Sequence, residues 1–328
     1  MRPLSPGELA ERLAELPVLI EGHSVEVDSV PVEGYYGGRA RPTGEVSLMG
    51  GGQVGRGENV DWTAAEQAHF ALVCSDLVPW PASGGRATIG DLSASLLESG
   101  AHPHHRSAIE SAAIELALRQ MSTDLFRLAG HPPRPVRYCW SIGREAVERD
   151  GPLAAVGRLL EAEPEARIKI DCPPSGWPEP TWRTLAGQGR IVVVDFKREG
   201  SAAQVALAHR HLPDAWLEDP AAAVIEGFDT AGPSPSWLGR IALDGYVLAV
   251  ADLDNPPIPP AAINVKAPRL GGPLEALRCL ERCIREGWHA YIGGMFEVGV
   301  GRRQALDLAS LFTAGAWNDL APLTSRAS

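Results

Sequence analysis

The sequence predicts an α/β chain in which an α+β unit precedes a barrel of parallel strands. Three observations support this. Beyond Pro135, seven short apolar runs recur at spacings of about 22 to 30 residues, the length of one strand plus one helix. Up to about residue 97 no such repeat occurs. Several of the runs end on a charged residue, and in a parallel barrel all such ends open onto one face. A doubly wound open sheet is the rival arrangement, although no glycine-rich nucleotide fingerprint follows the first run.

Ser5-Pro6-Gly7-Glu8 reads as a capping box opening a helix to about Leu16, with Pro17 beyond its end. Ser24–Val32 alternates polar and apolar residues, as a half-exposed strand does, and leads into the glycine-rich turn 34–38. Glu45–Met49 reads as a further strand, Gly50-Gly51-Gly52 as a turn and Thr63–Cys74 as a helix. Arg106–Gln120 is a long amphipathic helix, with Ile109, Ala113, Leu116 and Ala117 at helical spacing. The seven later runs are Val136–Ser141, Arg167–Asp171, Ile191–Asp195, Ala215–Glu218, Ile241–Asp244, Ile263–Lys266 and His289–Gly293. Several are too apolar to be half exposed, as parallel strands buried on both faces are.

The 328 residues are 45% hydrophobic and 22% charged, the balance of an ordinary globular protein. A net charge of −11 argues against general binding to nucleic acid or anionic membrane, which needs clustered Lys and Arg. No apolar run approaches the roughly 20 residues that span a bilayer. The N-terminal stretch lacks the apolar core and cleavage site of a secretory signal, and the five cysteines show no metal-type pairing. A cytoplasmic protein with reduced cysteines is expected.

The strand ends carry the chemistry. Val192-Val193-Val194 runs into Asp195, Trp216-Leu217 into Glu218 and Ile241-Ala242-Leu243 into Asp244. These carboxylates, 23 and 26 residues apart, converge if the strands are consecutive. They repel one another unless neutralised, and an oxygen-only set suits a hard cation such as Mg²⁺. Lys169 precedes them and Lys266 follows, so the order around the barrel puts one amine on each side of the ion. Arg167, two positions before Lys169, is expected on the same face, where its charge and the ion's lower the lysine pKa toward that of a base. The pattern points to proton abstraction beside a carboxylate. His102, His104 and His105, around Pro103, are expected to be an exposed loop cluster rather than a metal site. Trp62, Trp80, Trp177, Trp182 and Trp237 read as packing residues.

These residues resemble the enolase superfamily, in its muconate-lactonizing-enzyme-like branch. Gly55-Arg56-Gly57-Glu58 is similar to the glycine-glutamate turn of that family's capping domain, and Ala108–Ala112 to the helix before its barrel. The segment Lys266–Gly272 resembles the family's sixth strand end, and Gly293–Gly301 its seventh-strand motif. The resemblance implies a modified (β/α)₇β TIM-type barrel over residues 98–319, with an α+β capping domain from residues 1–97 and the tail 320–328. It implies Mg²⁺ on Asp195, Glu218 and Asp244, with Lys169 and Lys266 as the acid/base pair, and Tyr35 and Tyr36 closing over the substrate. Gly294 and Glu297 are expected at the substrate, Glu297 either lining the pocket or ordering its loop. The implied partner is a small-molecule carboxylate, with racemisation or epimerisation, cycloisomerisation and o-succinylbenzoate formation as outcomes, and a homo-oligomer is in keeping with it.

Three positions depart from the family pattern: Arg167-Ile168-Lys169 for Lys-x-Lys, Asp195-Phe196-Lys197 for Asp-x-Asn, and Asp244-Gly245 for Asp-Glu. Lys197 replaces a residue that is not a ligand and is expected to point away from the ion. A barrel that has lost this chemistry and serves as a binding or structural protein is the alternative.

Overall fold

The computed structural model describes residues 2–31, 40–78, 87–225 and 235–322. The first part comprises α1 (Pro6–Ala14), the short β1 (Pro17–Val18) and the antiparallel meander β2 (Gly22–Pro31), β3 (Ala40–Gly50) and β4 (Gln53–Asn59). Then come α2 (Ala64–Leu77), β5 (Ala87–Thr88), which pairs with β1, α3 (Ile89–Glu98), α4 (Pro103–Gln120) and α5 (Leu125–Ala129). The expected capping box is present: Ser5 Oγ accepts from the Glu8 amide, and the Glu8 carboxylate accepts from the Ser5 amide.

From β6 (Trp140–Ile142) onward, strands run parallel. In chain order they and their helices are α6 (Arg144–Asp150), α7 (Pro152–Ala162), β7 (Ile168–Asp171), α8 (Glu179–Gly187), β8 (Ile191–Asp195), α9 (Ala202–His211), β9 (Trp216–Glu218), β10 (Ile241–Leu243), β11 (Ala262–Val265), α10 (Ala267–Leu270), α11 (Pro273–Glu286), β12 (His289–Ile292) and α12 (Val300–Leu308). Each strand pairs with the next in sequence, giving a curled seven-stranded sheet from β6 to β12. Asn318 bridges to Tyr138 beside β6, and Asp319 to Gly293 beside β12. The Cys139 amide donates to Asn318 O at 2.8 Å and the Asp319 amide to Ile292 O at 2.9 Å, so this dipeptide links the two edges of the curl. Ile168, Ile170, Val193, Val194, Leu217 and Ile263 are wholly buried, which explains why their runs read as continuously apolar.

Two expectations need correction. Gly55-Arg56-Gly57-Glu58 is not a turn but the middle of β4, because its alternate glycines lie under α4. A Cβ on Gly55 would collide with Ala112 O, and one on Gly57 with Ala108 O, so their absence lets the helix settle on the sheet. The first parallel strand begins at Trp140 rather than Val136, since Arg137–Cys139 bond instead to residues 314–318. The turn 34–38 and Trp80 lie outside the described residues. Among the described residues no helix is long and apolar enough to cross a membrane, and the five cysteines are free and buried.

Candidate active site

Asp195 closes β8 and Glu218 closes β9, directly in register, and Asp244 follows β10. All three are buried, and one oxygen from each lies within 4.8 Å of the others. Lys169, inside β7, places Nζ 3.1 Å from Asp195 Oδ2 and against Glu218 Oε1. Lys266, just after β11, donates from Nζ to Asp244 Oδ2 at 3.1 Å. The strands therefore gather five side chains picked out by spacing, with a lysine on each flank.

The network extends to residues the spacing did not single out. Asp319 Oδ2 lies 3.2 Å from Lys169 Nζ, and its Oδ1 accepts from Ser141 at 2.5 Å. Asp219 accepts the backbone amides of Asp244 and Gly245 at 2.7 and 2.6 Å, fixing the turn after β10. Arg269 pairs with Asp244, and Glu218 Oε2 accepts from the Tyr291 hydroxyl and, at 3.3 Å, from Asn264 Nδ2. Asp171, which joins the network through Lys197, could have been found, standing two strand positions after Lys169 on the same face. Arg269 lies within the Lys266–Gly272 segment. Nothing local to residues 318–319 marks Asp319.

Lys197 does not point away. Its Nζ lies 2.5 Å from Asp195 Oδ2 and 3.1 Å from Asp171 Oδ1, because a left-handed backbone (φ 51°) folds the side chain back over the strand end. Arg198 (φ 66°), Asp219 (φ 45°) and Phe296 (φ 65°) are likewise left-handed, so strained non-glycine backbone is concentrated at this face of the sheet. Arg167 is not in the cluster. It donates to Gly189 O at 2.6 Å and stacks on Trp317 at 5.5 Å, since two strand positions share a face but differ in depth by about 6–7 Å. Lys169 consequently has Lys197, which shares Asp195 Oδ2 with it, as its cationic neighbour in place of Arg167, and several carboxylates besides. Burial disfavours its charge, but Asp319, Glu218 and Asp195 outweigh this and hold its pKa well above the ordinary lysine value.

Glu297 orders its loop: it is buried and accepts the Met295 amide at 2.7 Å, and burial raises its carboxyl to about 7. Gly294, in the same loop, donates its amide to Asp319 O at 3.0 Å. Glu58, from β4, reaches this region, accepting the amides of Val298, Gly299 and Gly301 at 2.9, 2.9 and 3.0 Å. Tyr35 and Tyr36 lie outside the described residues. Of the three histidines only His102 is exposed as expected, at the N-cap of α4; His104 and His105 stand on the helix's first turn, largely buried against Asp61.

The acidic triad fits a divalent cation on two counts. Its donors are all carboxylate oxygens at close quarters, as a hard ion prefers. In addition, six carboxyl groups (Asp171, Asp195, Glu218, Asp219, Asp244 and Asp319) share the network with four basic side chains (Lys169, Lys197, Lys266 and Arg269), two more acids than bases. Burial, together with Asp195 and Asp244, pushes Glu218 well above the ordinary carboxylate pKa, as expected of a set short of positive charge.

Comparison with known proteins agrees with the fold. An o-succinylbenzoate synthase of Enterococcus faecalis (strain ATCC 700802 / V583) is 28% identical over 211 residues, 62% of this chain. The match spans only 56% of that protein's length. Among solved structures, an enolase-superfamily member of unknown function from Enterococcus faecalis V583 aligns with TM-score 0.72 and 22% identity over 93% of this chain and 86% of its own. A probable mandelate racemase from Alicyclobacillus acidocaldarius gives 0.72 and 20% over 91% and 84%, and the muconate lactonizing enzyme of Pseudomonas putida 0.69 and 19% over 92% and 88%. At these identities the likeness establishes the fold, a mixed α/β architecture with a curled parallel sheet and a separate antiparallel one. Models of a domain of unknown function, DUF8230, match residues 11–128 with its N-terminal part and 132–325 with its C-terminal part. With both parts present in order, on the fold that the enolase superfamily uses, the chain is a member of the DUF8230 family.

Proposed function

We propose that the chain is a Mg²⁺-dependent lyase or isomerase of the muconate-lactonizing branch, removing the α-proton of a small carboxylate substrate to give an enolate. The observation that supports this most is the pair of lysines, Lys169 and Lys266, flanking three convergent acids whose network has two more acidic groups than basic ones. Asp195, Glu218 and Asp244 would hold the ion, which supplies positive charge where the enolate oxygen becomes negative. Lys169 and Lys266 take and return the proton on opposite faces of the substrate. With Asp195 and Glu218 engaged by the ion, only Asp319 would still pair closely with Lys169, which would lower the lysine pKa toward that of a base. Tyr291 and Asn264 orient Glu218, and Asp219 fixes the Asp244 turn. Racemisation, epimerisation, cycloisomerisation and o-succinylbenzoate formation share this first step.

The bridges at Asn318 and Asp319 support a closed (β/α)₇β barrel beneath a cap that includes the β2–β4 sheet. Free buried cysteines support a cytoplasmic location. A second reading, a barrel that binds ligands without this chemistry, is favoured by Lys197, whose ammonium sits on a prospective metal ligand.

The test is incubation of the Mg²⁺-loaded protein with pooled carboxylates in deuterated water. Exchange at an α-carbon that is lost in both Lys169→Ala and Lys266→Ala is the expected result. Exchange that survives in both variants overturns the lysine roles. No exchange, together with no thermal stabilisation by Mg²⁺, selects the second reading.

A further inference from the structure

Away from the carboxylate network, Asp61, His102 and His104 form a second cluster of metal-ligating atoms, all within 4.8 Å of one another. Asp61 leaves the end of β4, while His102 caps α4 and His104 lies in its first turn. The two oxygens of Asp61 are differently committed. Oδ2 accepts from Asn59 Nδ2 at 3.0 Å and lies 2.8 Å from His105 Nε2, which fixes the carboxylate plane. Oδ1 faces His104 Nδ1 at 2.9 Å and His102 Nδ1 at 3.9 Å. A tetrahedral site with bonds of about 2.0–2.1 Å separates its donors by about 3.3 Å, between these two distances. Burial works against a charge on Asp61, but hydrogen bonds from His104, His105 and Asn59 hold it far below the ordinary carboxylate range, so the oxygen ligand is ionised at neutral pH.

We infer that Asp61 Oδ1, His102 Nδ1 and His104 Nδ1 form a binding site for a borderline divalent ion of the Zn²⁺ class, separate from the carboxylate network. Two imidazoles and one carboxylate suit Zn²⁺, Co²⁺ or Ni²⁺ far better than Mg²⁺. The ion replaces the proton shared by His104 Nδ1 and Asp61 and takes the His102 Nδ1 lone pair from the long 3.4 Å capping bond it accepts from the His104 amide, and the half-exposed His102 ring leaves a fourth position for water. His105 and Asn59 act as the outer hydrogen-bonding partners that orient the carboxylate. The positive N-terminal end of α4 opposes a cation, and the Asp61 charge offsets this. Such a site has a mechanical consequence: Trp62, next to Asp61, packs edge-on against Phe296 at 5.4 Å, in the loop after β12 that borders the carboxylate network. An ion there ties β4, α4 and that loop together.

The test is independent of the proposed reaction. The full chain, saturated with Mg²⁺, is titrated with Co²⁺ while its visible absorption is followed, then challenged with Zn²⁺. The expected result is one equivalent of Co²⁺ giving ligand-field bands that one equivalent of Zn²⁺ bleaches. His102→Ala and His104→Ala should each weaken Co²⁺ binding by about 100-fold or more, and Asn59→Ala by about tenfold. The His102 side chain is 55% exposed, so that variant keeps its fold even if loss of His104 does not. Absence of bands overturns the inference. So do bands unchanged in His102→Ala, and bands abolished by Glu218→Gln but kept in both histidine variants.

Discussion

Removing the Glu58 carboxylate tests how the antiparallel sheet is fastened to the parallel one. Its Oε1 accepts the Val298 amide, and its Oε2 accepts those of Gly299 and Gly301, at the start of α12, whose own N-cap is a side-chain-free glycine. Hydrogen bonds to a charged acceptor contribute about 1.5–3 kcal/mol each, and the helix dipole adds a favourable term for an anion there. Glu58→Ala strands three amides at a site where Glu58 is only 6% exposed, and water entering the hole recovers part of the loss. The net cost is about 3–4 kcal/mol, or roughly 4–6 °C in melting temperature for a chain this long. Glu58→Gln keeps one accepting oxygen and turns an NH₂ group toward the other amides, so it should lose about half as much, roughly 2 kcal/mol. Urea unfolding followed by far-UV circular dichroism at neutral pH measures both. A Glu58→Ala loss below about 1 kcal/mol refutes the capping account, and a Glu58→Gln variant as stable as the parent refutes the two-oxygen division.

Four further outcomes are expected. Burial raises the Glu110 carboxyl to about 7, against about 4.3 unfolded, so its stabilising contribution is complete below about pH 4.3 and is lost as pH rises through 7; between those limits the parent should lose a few kcal/mol more than Glu110→Gln in parallel urea titrations. Gly57→Ala forces a methyl group into Ala108 O and should cost about 3 kcal/mol by the same assay. Mg²⁺ at about 100 times its dissociation constant should stabilise the parent by about 2.7 kcal/mol and Glu218→Gln much less, as calorimetric melting would show. Lys197→Asn removes a 40%-exposed ammonium from Asp195 and should tighten Mg²⁺ binding about fivefold, a modest gain because solvent screens the pair; calorimetric titration would detect it, and weaker binding would show that Lys197 assists the ion.

Much of this was legible in the chain. Strands such as Ile191–Asp195 are buried on both faces, so they stand out as apolar runs, and a charge at the end of such a run is conspicuous. This made Asp195, Glu218 and Asp244 readable without coordinates. What alternation conveys is the face, not the depth, and Arg167 was misplaced for that reason. Glycine conveys backbone permissiveness, not its cause: Gly55 and Gly57 suggest a turn until the helix pressing on them is known. Lys197 depended on a left-handed φ that no local pattern announces. Asp319 joins Lys169 across about 150 residues, beyond any spacing rule.

The position of Asn318 and Asp319 has a consequence for biogenesis. During synthesis all seven parallel strands emerge before the dipeptide that joins the outermost two, so β6 and β12 must wait with open backbone donors and acceptors. In that interval Lys169 also lacks one of its anions, and the nascent sheet can recruit a neighbouring chain. The dipeptide therefore acts as a late latch, and the yield of folded protein should be set by how quickly it closes.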